Sequence, residues 1–580
     1  MTNMTLRKSA IAALSAFALT ATSLPVPLMA ASQVPAGAEH GMVVSAHRLA
    51  SDAGVEVLKE GGNAVDAAIA VAYALAVTFP EAGNIGGGGF MTVRLADGRT
   101  SFIDFRETAP AAATPTMYQD KAGKVIPLLS TRGHKAVAVP GTVAGLELAR
   151  AKFATLPRAR LMAPAISLAR DGFVMDQGDA TFLAEGAEDF ARDPASAAIF
   201  LDSGKPFEKG HRFVQADLGR MLQLIADKGA DAFYKGEIAE KIAASSKAHG
   251  GILTKADFAA YRAIERAPLE CDYRGYHVIS APPPSSGGVV VCETLGILSA
   301  YPMGELGWHS AQNIHYLTEA LRRAFHDRNV NLGDPGFVKA DVAKLISPDY
   351  AASLRTGISA DKATPSVSLG VPGQSHEGAS TTHFSIVDAQ GNAVSLTYTL
   401  NDWFGARVTA DGTGILLNDE MDDFSSKPGA PNMYGLVEGT NNAIAPGKRP
   451  LSSMTPTIVT RDGKLFMVVG TPGGSHIPTG VLQVMLNVID HGMTVTEATD
   501  AARIHAQWLP DVIFMEPNAL SAETRAALEA KGHKLERMDY WNQVAAILVG
   551  GPALGKPPVG KDRLYGAIDP RLPVGSVAGY

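Results

Sequence analysis

One hairpin constrains this chain more than any other stretch of its sequence. In THFSIVDAQGNAVSLTYTL (382–400), Ala389-Gln390-Gly391 can close a three-residue loop with Gly391 in the left-handed position such loops favour. Centring the turn on Gln390 pairs residues whose numbers sum to 780, so Ser385 faces Ser395, His383 faces Thr397, and Thr381 faces Thr399. Side chains alternate along a strand. One face therefore carries Thr381, His383, Ser385, Ser395, Thr397 and Thr399, and the other Phe384, Ile386, Val394, Leu396, Tyr398 and Leu400. A slip of one residue would mix the two sets, so the pattern fixes the register. The polar set reads either as the solvent face of an ordinary hairpin or as a surface that carries chemistry, with the Thr381 and Thr399 hydroxyls in reach across the pair.

What precedes Thr381 favours chemistry. From about Thr356 to Ser380 the chain lapses into Gly, Ser, Pro, Thr and Asp without hydrophobic periodicity, which predicts an exposed connection with room for a processing site at its end. If the bond before Thr381 were cut, that residue would carry its hydroxyl and a free α-amino group together. The amine has a pKa of about 8 in model peptides, so nucleophile and base would sit on one residue. The same hydroxyl, attacking the Ser380 carbonyl, could make the cut through an ester that water opens. A nucleophile of this kind needs a place for negative charge to develop. The stretch KLFMVVGTPGGSHIPTGVLQVMLNVID reads as strand, glycine pair and helix, so backbone N–H groups at Gly473 and Gly474 can form an oxyanion site; a structural turn is the alternative.

Composition narrows the setting. The 580 residues are 46% hydrophobic, enough for one very large domain or about two to four ordinary ones, and nothing suggests disorder. Net charge is −7 with the cations scattered, which offers no footprint for nucleic acid or an anionic membrane and points to a small partner. Arg7 and Lys8 precede an apolar run from about Ala10 to Leu24 and then PLMAAS, the pattern of an export signal cut near Ala30 to Ser32. No later stretch reaches the roughly 18 apolar residues of a membrane span. Cys271 and Cys292 are the two cysteines, free or bridged to each other.

Ahead of the hairpin the chain is mainly helical. GGNAVDAAIAVAYALAVTF predicts a helix capped by Asn63, ending before Pro80 and apolar nearly all round, hence buried. FMTVRLADGRTSFIDFRE reads as a hairpin around Asp97-Gly98, and GWHSAQNIHYLTEALRRAFHDRN as a long helix. After residue 380 strands dominate, and helices return in GVLQVMLNVIDHG and SAETRAALEAKG. The run Gly86 to Gly89 predicts close backbone approach.

Nine stretches in order, GGNAVDAAIA, GNIGGGGFM, DFRETAP, PPPSSGG, TTHFS, TYTLN, GILLNDEMDDFS, KRPLSSMTPTI and GTPGGS, closely resemble the γ-glutamyltranspeptidase family of N-terminal nucleophile hydrolases, from about Gly41 to Tyr580. The resemblance implies an α+β fold, a four-layer αββα sandwich built from both chains of an autoprocessed precursor: a signal at 1–31, a large chain 32–380, and a small chain 381–580 intertwined with it as a heterodimer. It makes Thr381 the nucleophile with Thr399 beside it, and Gly473 and Gly474 the oxyanion hole. Arg106, Ser452 and Ser453 fall to the substrate α-carboxylate; a guanidinium fork and two hydroxyls suit that group. Asn401, Glu420 and Asp423 fall to the α-ammonium, and Tyr434 to a lid over the pocket. Some members carry Gln where this chain has Glu420. Asp402, Trp403 and Arg407 match nothing firm in the family; they either tune the acceptor side or pack.

The activity implied is that of an exported, periplasmic or secreted γ-glutamyltransferase and glutathione hydrolase without metal or organic cofactor. Its partners would be glutathione and other γ-glutamyl compounds, amino-acid or peptide acceptors, and water. A glutaryl (cephalosporin) acylase of the same fold is the near alternative, although it would have no use for Glu420 and Asp423. A non-catalytic exported amino-acid-binding protein is the more distant one.

Overall fold

The computed structural model describes residues 34–370, 381–427, 439–539 and 542–580. The expected export signal, Ser380 and Tyr434 lie outside the described residues.

The predicted hairpin forms in the predicted register, Thr382–Val387 against Ala393–Thr399, with His383 opposite Thr397 and Ser385 opposite Ser395. Gly391 takes a φ of 89° at the turn, and the Asp388 N–H donates to the Asn392 carbonyl at 3.1 Å. The Asp388 carboxylate also accepts from the N–H of Ala64, the first residue of the Ala64–Thr78 helix, so the turn is tied to that helix. Every residue of the helix is buried, and Asn63 caps it reciprocally with Asp66 as the sequence predicts. The hairpin's apolar face, Phe384, Ile386, Val394, Leu396 and Tyr398, joins the core beneath the helix, each large side chain contributing roughly 1.5–3 kcal/mol.

The hairpin is the centre of a seven-stranded antiparallel sheet in the order Ser576–Gly579, Met42–Ser45, Thr382–Val387, Ala393–Thr399, Gly88–Arg94, Thr100–Asp104, Ile264–Arg266. A second antiparallel sheet of seven runs Ala36–Ala38, Leu564–Ile568, Ala545–Val549, Lys464–Gly470, Thr457–Arg461, Tyr276–Ser280, Leu269–Tyr273. The hairpin packs on the second sheet, whose outer face carries the Gly287–Leu298 and His476–Ile489 helices. Helix, sheet, sheet and helix are thus the four expected layers. Both sheets take strands from either side of residue 381, so a cut there leaves each ladder intact.

The polar face of the hairpin is not a solvent face. It is buried between the sheets, and its groups find partners on the opposite layer. Ser385 Oγ donates to the Ala545 carbonyl at 3.0 Å and Ser395 Oγ to that of Val469 at 3.2 Å; on the neighbouring strand Gly88–Arg94, Thr92 Oγ1 donates to that of Pro456 at 2.8 Å. Between Ser385 Oγ (3.1 Å) and Thr397 Oγ1 (2.8 Å) sits His383, whose pKa burial pushes down to about 3. A neutral imidazole offers one donor and one acceptor. Because the Ser385 proton goes to Ala545, Nε2–H donates to Ser385 and Nδ1 accepts from Thr397. The two sheets are therefore held by a satisfied polar seam as well as by apolar contact, at about 1 kcal/mol per net hydrogen bond.

The segment from Thr356 to Gly370 is largely exposed, as expected of a connection, except at Ser366. That residue is buried, its N–H donating to Asp511 Oδ2 at 2.8 Å and its carbonyl accepting from Trp508 Nε1 at 3.0 Å. Cys271 and Cys292 are joined in a disulfide between a strand of the second sheet and a helix that covers it.

A Cβ added at Gly470 would lie 2.2–2.6 Å from the His383 ring, inside any real contact. Gly470→Ala should therefore lower the thermal unfolding temperature by an amount matching about 1–3 kcal/mol of overpacking. An unchanged melting curve would contradict the tight seam.

Candidate active site

The end of the polar face at which Thr381 lies opens onto a narrow cavity. Nine of the eleven residues singled out by sequence line it: Thr381, Thr399, Asn401, Arg106, Glu420, Asp423, Ser452, Ser453 and Gly474. Gly473 precedes the last of these in the chain, and Tyr434 is outside the described residues. A larger open depression of about 770 Å³, lined by Tyr261, Asp334, Phe337 and Arg449, lies behind the Arg106 backbone and holds none of them.

Thr381 Oγ1 is 3.3 Å from Thr399 Oγ1, the cross-strand contact that the hairpin register predicts, and either oxygen can be the donor. Thr399 is itself fixed: its Oγ1 accepts from the Asn401 N–H at 2.8 Å, and its carbonyl accepts from Asn84 Nδ2 at 2.9 Å. The glycine run makes this possible. A Cβ at Gly87 would lie 2.0 Å from the Thr399 carbonyl oxygen, so the close approach inferred from the sequence is real.

Arg106 lies two residues beyond the end of the strand Thr100–Asp104 and is wholly buried. Its N–H donates to Asp104 Oδ1 at 3.0 Å, and its carbonyl accepts from Tyr261 Oη at 2.9 Å and Arg449 Nη1 at 2.6 Å. So anchored, the side chain reaches two carboxylates: Nη1 donates to Glu420 and Nη2 to Asp423. The groups assigned by resemblance to opposite ends of a substrate are thus paired with each other. Burial opposes the guanidinium charge, but Glu420, Asp423 and Glu107 outweigh it and hold the group protonated.

The acids outnumber the cation. Glu107 Oε2 is 3.6 Å from Arg106 Nη1, and neither of its carboxylate oxygens has a hydrogen-bond partner among the described residues. Burial pushes its pKa up to about 7 against the pull of Arg106, and burial raises that of Glu420 well above the carboxylate range. Glu420 Oε2 and Asp423 Oδ1 are likewise buried without a partner among the described residues. Each of the two acids therefore spends one oxygen on Arg106 and leaves the other where an incoming cation would favour the ionised form.

Ser452 and Ser453 enter from the loop before the strand Thr457–Arg461. That loop is clamped by PPPSSGG: the Ser286 N–H donates to the Ser452 carbonyl at 2.7 Å, the Ser452 N–H to the Pro284 carbonyl at 2.9 Å, and Ser285 Oγ to the Met454 carbonyl at 2.5 Å. On the other wall, Gly473 (φ 127°) and Gly474 (φ 55°) turn the chain in left-handed backbone just before the His476–Ile489 helix, a conformation that side-chain-bearing residues rarely adopt.

Asp402, Trp403 and Arg407, which the sequence left open between tuning and packing, pack. Asp402 pairs with Arg407 and Arg132, both at 3.1 Å, and Trp403 lies edge-on to Phe79. Two residues around the cavity carried no signal in the sequence. Glu107 stands next to Arg106 in DFRETAP, where an Arg-Glu pair reads as surface charge. Arg328 lines the cavity from the end of the Ala311–Asn331 helix, in a run whose flanking charges read as solvated.

The sequence profile of the gamma-glutamyltranspeptidase family matches residues 50–579. The chain belongs to that family. It is 60% identical to a glutathione hydrolase proenzyme of Pseudomonas sp. (strain A14), over 97% of this chain and 99% of the relative. A glutathione hydrolase proenzyme of Escherichia coli (strain K12) is 49% identical over 94% and 93%. Among solved structures, a cephalosporin acylase from Bacillus halodurans superposes with a TM-score of 0.81 at 28% identity, covering 96% of this chain and 98% of that one. The family is one of enzymes with the N-terminal nucleophile hydrolase fold, in accord with the four layers found here.

With Thr399 held from two sides and in contact with Thr381, Thr399→Val should slow maturation or turnover at least about tenfold, or 1.4 kcal/mol of barrier. Gel-resolved processing and steady-state kinetics on the purified variant check this; unchanged rates in both would remove Thr399 from the site.

Proposed function

We propose that the protein is a γ-glutamyltransferase and glutathione hydrolase, exported behind residues 1–31 and cut before Thr381 into a large chain 32–380 and a small chain 381–580. In maturation the Thr381 hydroxyl adds to the Ser380 carbonyl, the peptide nitrogen leaves as the new α-amine, and water opens the resulting ester. In turnover that amine takes the hydroxyl proton as Oγ1 attacks the γ-amide carbonyl of the donor. The Gly473 and Gly474 N–H groups stabilise the oxyanion, each such donor being worth about 3 kcal/mol. The leaving amine takes up the proton, and the γ-glutamyl ester passes to water or to the amine of an amino acid or peptide.

The observation that carries this reading is the buried pairing of Arg106 with Glu420 and Asp423 in the cavity that Thr381 lines. A γ-glutamyl group is a zwitterion at its α-carbon. Its carboxylate can take the Arg106 fork, with Ser452 and Ser453 donating alongside, while its ammonium takes Glu420, Asp423 and Asn401. Each internal partner is exchanged for one of the same sign, so no charge is left buried and alone. A glutaryl group brings the carboxylate without the ammonium. It would take Arg106 and leave Glu420 and Asp423 uncompensated, and breaking a buried pair in that way typically costs about 3–5 kcal/mol.

The expected outcome is a kcat/KM for a γ-glutamyl anilide at least about a hundredfold above that for the matched glutaryl anilide, or 2.7 kcal/mol. The gap should narrow as pH falls through about 7, where Glu107 takes up a proton and the acids' excess charge shrinks. Faster turnover of the glutaryl compound would refute the substrate assignment and favour the acylase reading.

A further inference from the structure

Arg328 is a second buried guanidinium on the wall of the catalytic cavity, 1% exposed, and it touches both loops that build the carboxylate end of the pocket. Its Nε donates to Ser286 Oγ at 3.0 Å, and Ser286 Oγ in turn donates to the Ser452 carbonyl at 2.7 Å. Its Nη2 makes a long contact, 3.5 Å, with Ser453 Oγ, while Nη1 donates to Asn329 Oδ1 at 2.7 Å. A guanidinium has donors and no acceptor, so Ser453 Oγ accepts there. The serine's own proton is thereby turned towards another acceptor. Ser452 Oγ similarly accepts from the Met454 N–H at 3.1 Å.

Charge points the same way. Arg106 already faces Glu420, Asp423 and Glu107, three acids to one cation, and a zwitterionic ligand, though it leaves the net charge unchanged, adds its carboxylate beside that single guanidinium. A cation on the serine side of the pocket offsets that addition at short range.

We propose that Arg328 is a positioning and specificity residue for the substrate α-carboxylate: it orients Ser453 as a donor, braces the Ser452 loop through Ser286, and supplies the second positive charge of the subsite. This rests on the assignment of Arg106, Ser452 and Ser453 to that carboxylate under the proposed function.

The test uses the processed enzyme and its Arg328→Gln and Arg328→Lys variants, with a γ-glutamyl anilide as donor and two competing ligands. L-Glutamate carries both α-groups; 4-aminobutyrate is the same skeleton without the α-carboxylate. Arg328→Gln should raise KM for the donor and the inhibition constant of L-glutamate by about tenfold or more, with kcat within about threefold. The inhibition constant of 4-aminobutyrate should change by less than about twofold, since the lost interaction is absent from that ligand. Arg328→Lys, which keeps the charge but loses the fork, should show a smaller loss with the same selectivity. Equal losses for both ligands, or none, would overturn the proposal, as would failure of both variants to mature, which would assign Arg328 to folding of the precursor. If the wild-type enzyme itself did not prefer L-glutamate to 4-aminobutyrate, the carboxylate assignment beneath the proposal would fail instead.

Discussion

The strand Thr382–Val387 has no free side. Its apolar face is covered by the Ala64–Thr78 helix, its polar face by the second sheet, and its edges by Met42–Ser45 and Ala393–Thr399. A one-residue slip would drive Phe384 and Ile386 into the polar seam and strand His383 against the apolar helix, so the register cannot drift. The position of Thr381 follows from this. It lies one residue beyond the ladder, at a height fixed by Thr382 opposite Tyr398, and Thr399 is the residue left facing it. A residue held by a strand packed on every side would keep its place were the chain before it cut, as the proposed maturation requires, because both sheets draw strands from either side of residue 381.

The rest of the site hangs on that placement. Arg106 reaches the cavity from just beyond the strand Thr100–Asp104 of the same sheet, Glu420 and Asp423 from a short turn, and Ser452 and Ser453 from a loop gripped by Pro284, Ser285 and Ser286. Three acids around one guanidinium make a buried cluster whose spare oxygens call for a cation. Pairing Arg106 with the acids stabilises each group against desolvation, and a zwitterionic ligand can replace that pairing without changing the net charge. Under the proposed function, recognition of the α-carbon head group would in this sense be an exchange of ion pairs.

How far the sequence foretold this depends on the range of the signal. The hairpin register, the Asn63 cap, the buried helix and the close approach at Gly87 are local patterns of period 2 or 3.6 or of chain sterics, and each is found. The burial of the polar face was not legible in the hairpin. Its partners, the carbonyls of Val469 and Ala545, lie 74 and 160 residues away, and serine and threonine look alike on a wet face and on a satisfied buried one. Arg106 offered no local sign of the role proposed for it, which came through resemblance; what fixes its place physically is the convergence of Asp104, Tyr261 and Arg449 on its backbone. Arg328 and Glu107 were missed for the same reason, since charged residues among charged neighbours read as solvated.

The proposed function requires Thr381 to become a chain terminus that carries the acyl group. Intact mass and N-terminal sequencing of the small chain, before and after brief exposure to a γ-glutamyl donor, test it most directly. The predicted result is a 200-residue chain beginning at Thr381 (580 − 380), which gains one γ-glutamyl group on its N-terminal residue during turnover. A fully active protein that remains a single uncut chain, or acylation at any other residue, would contradict it.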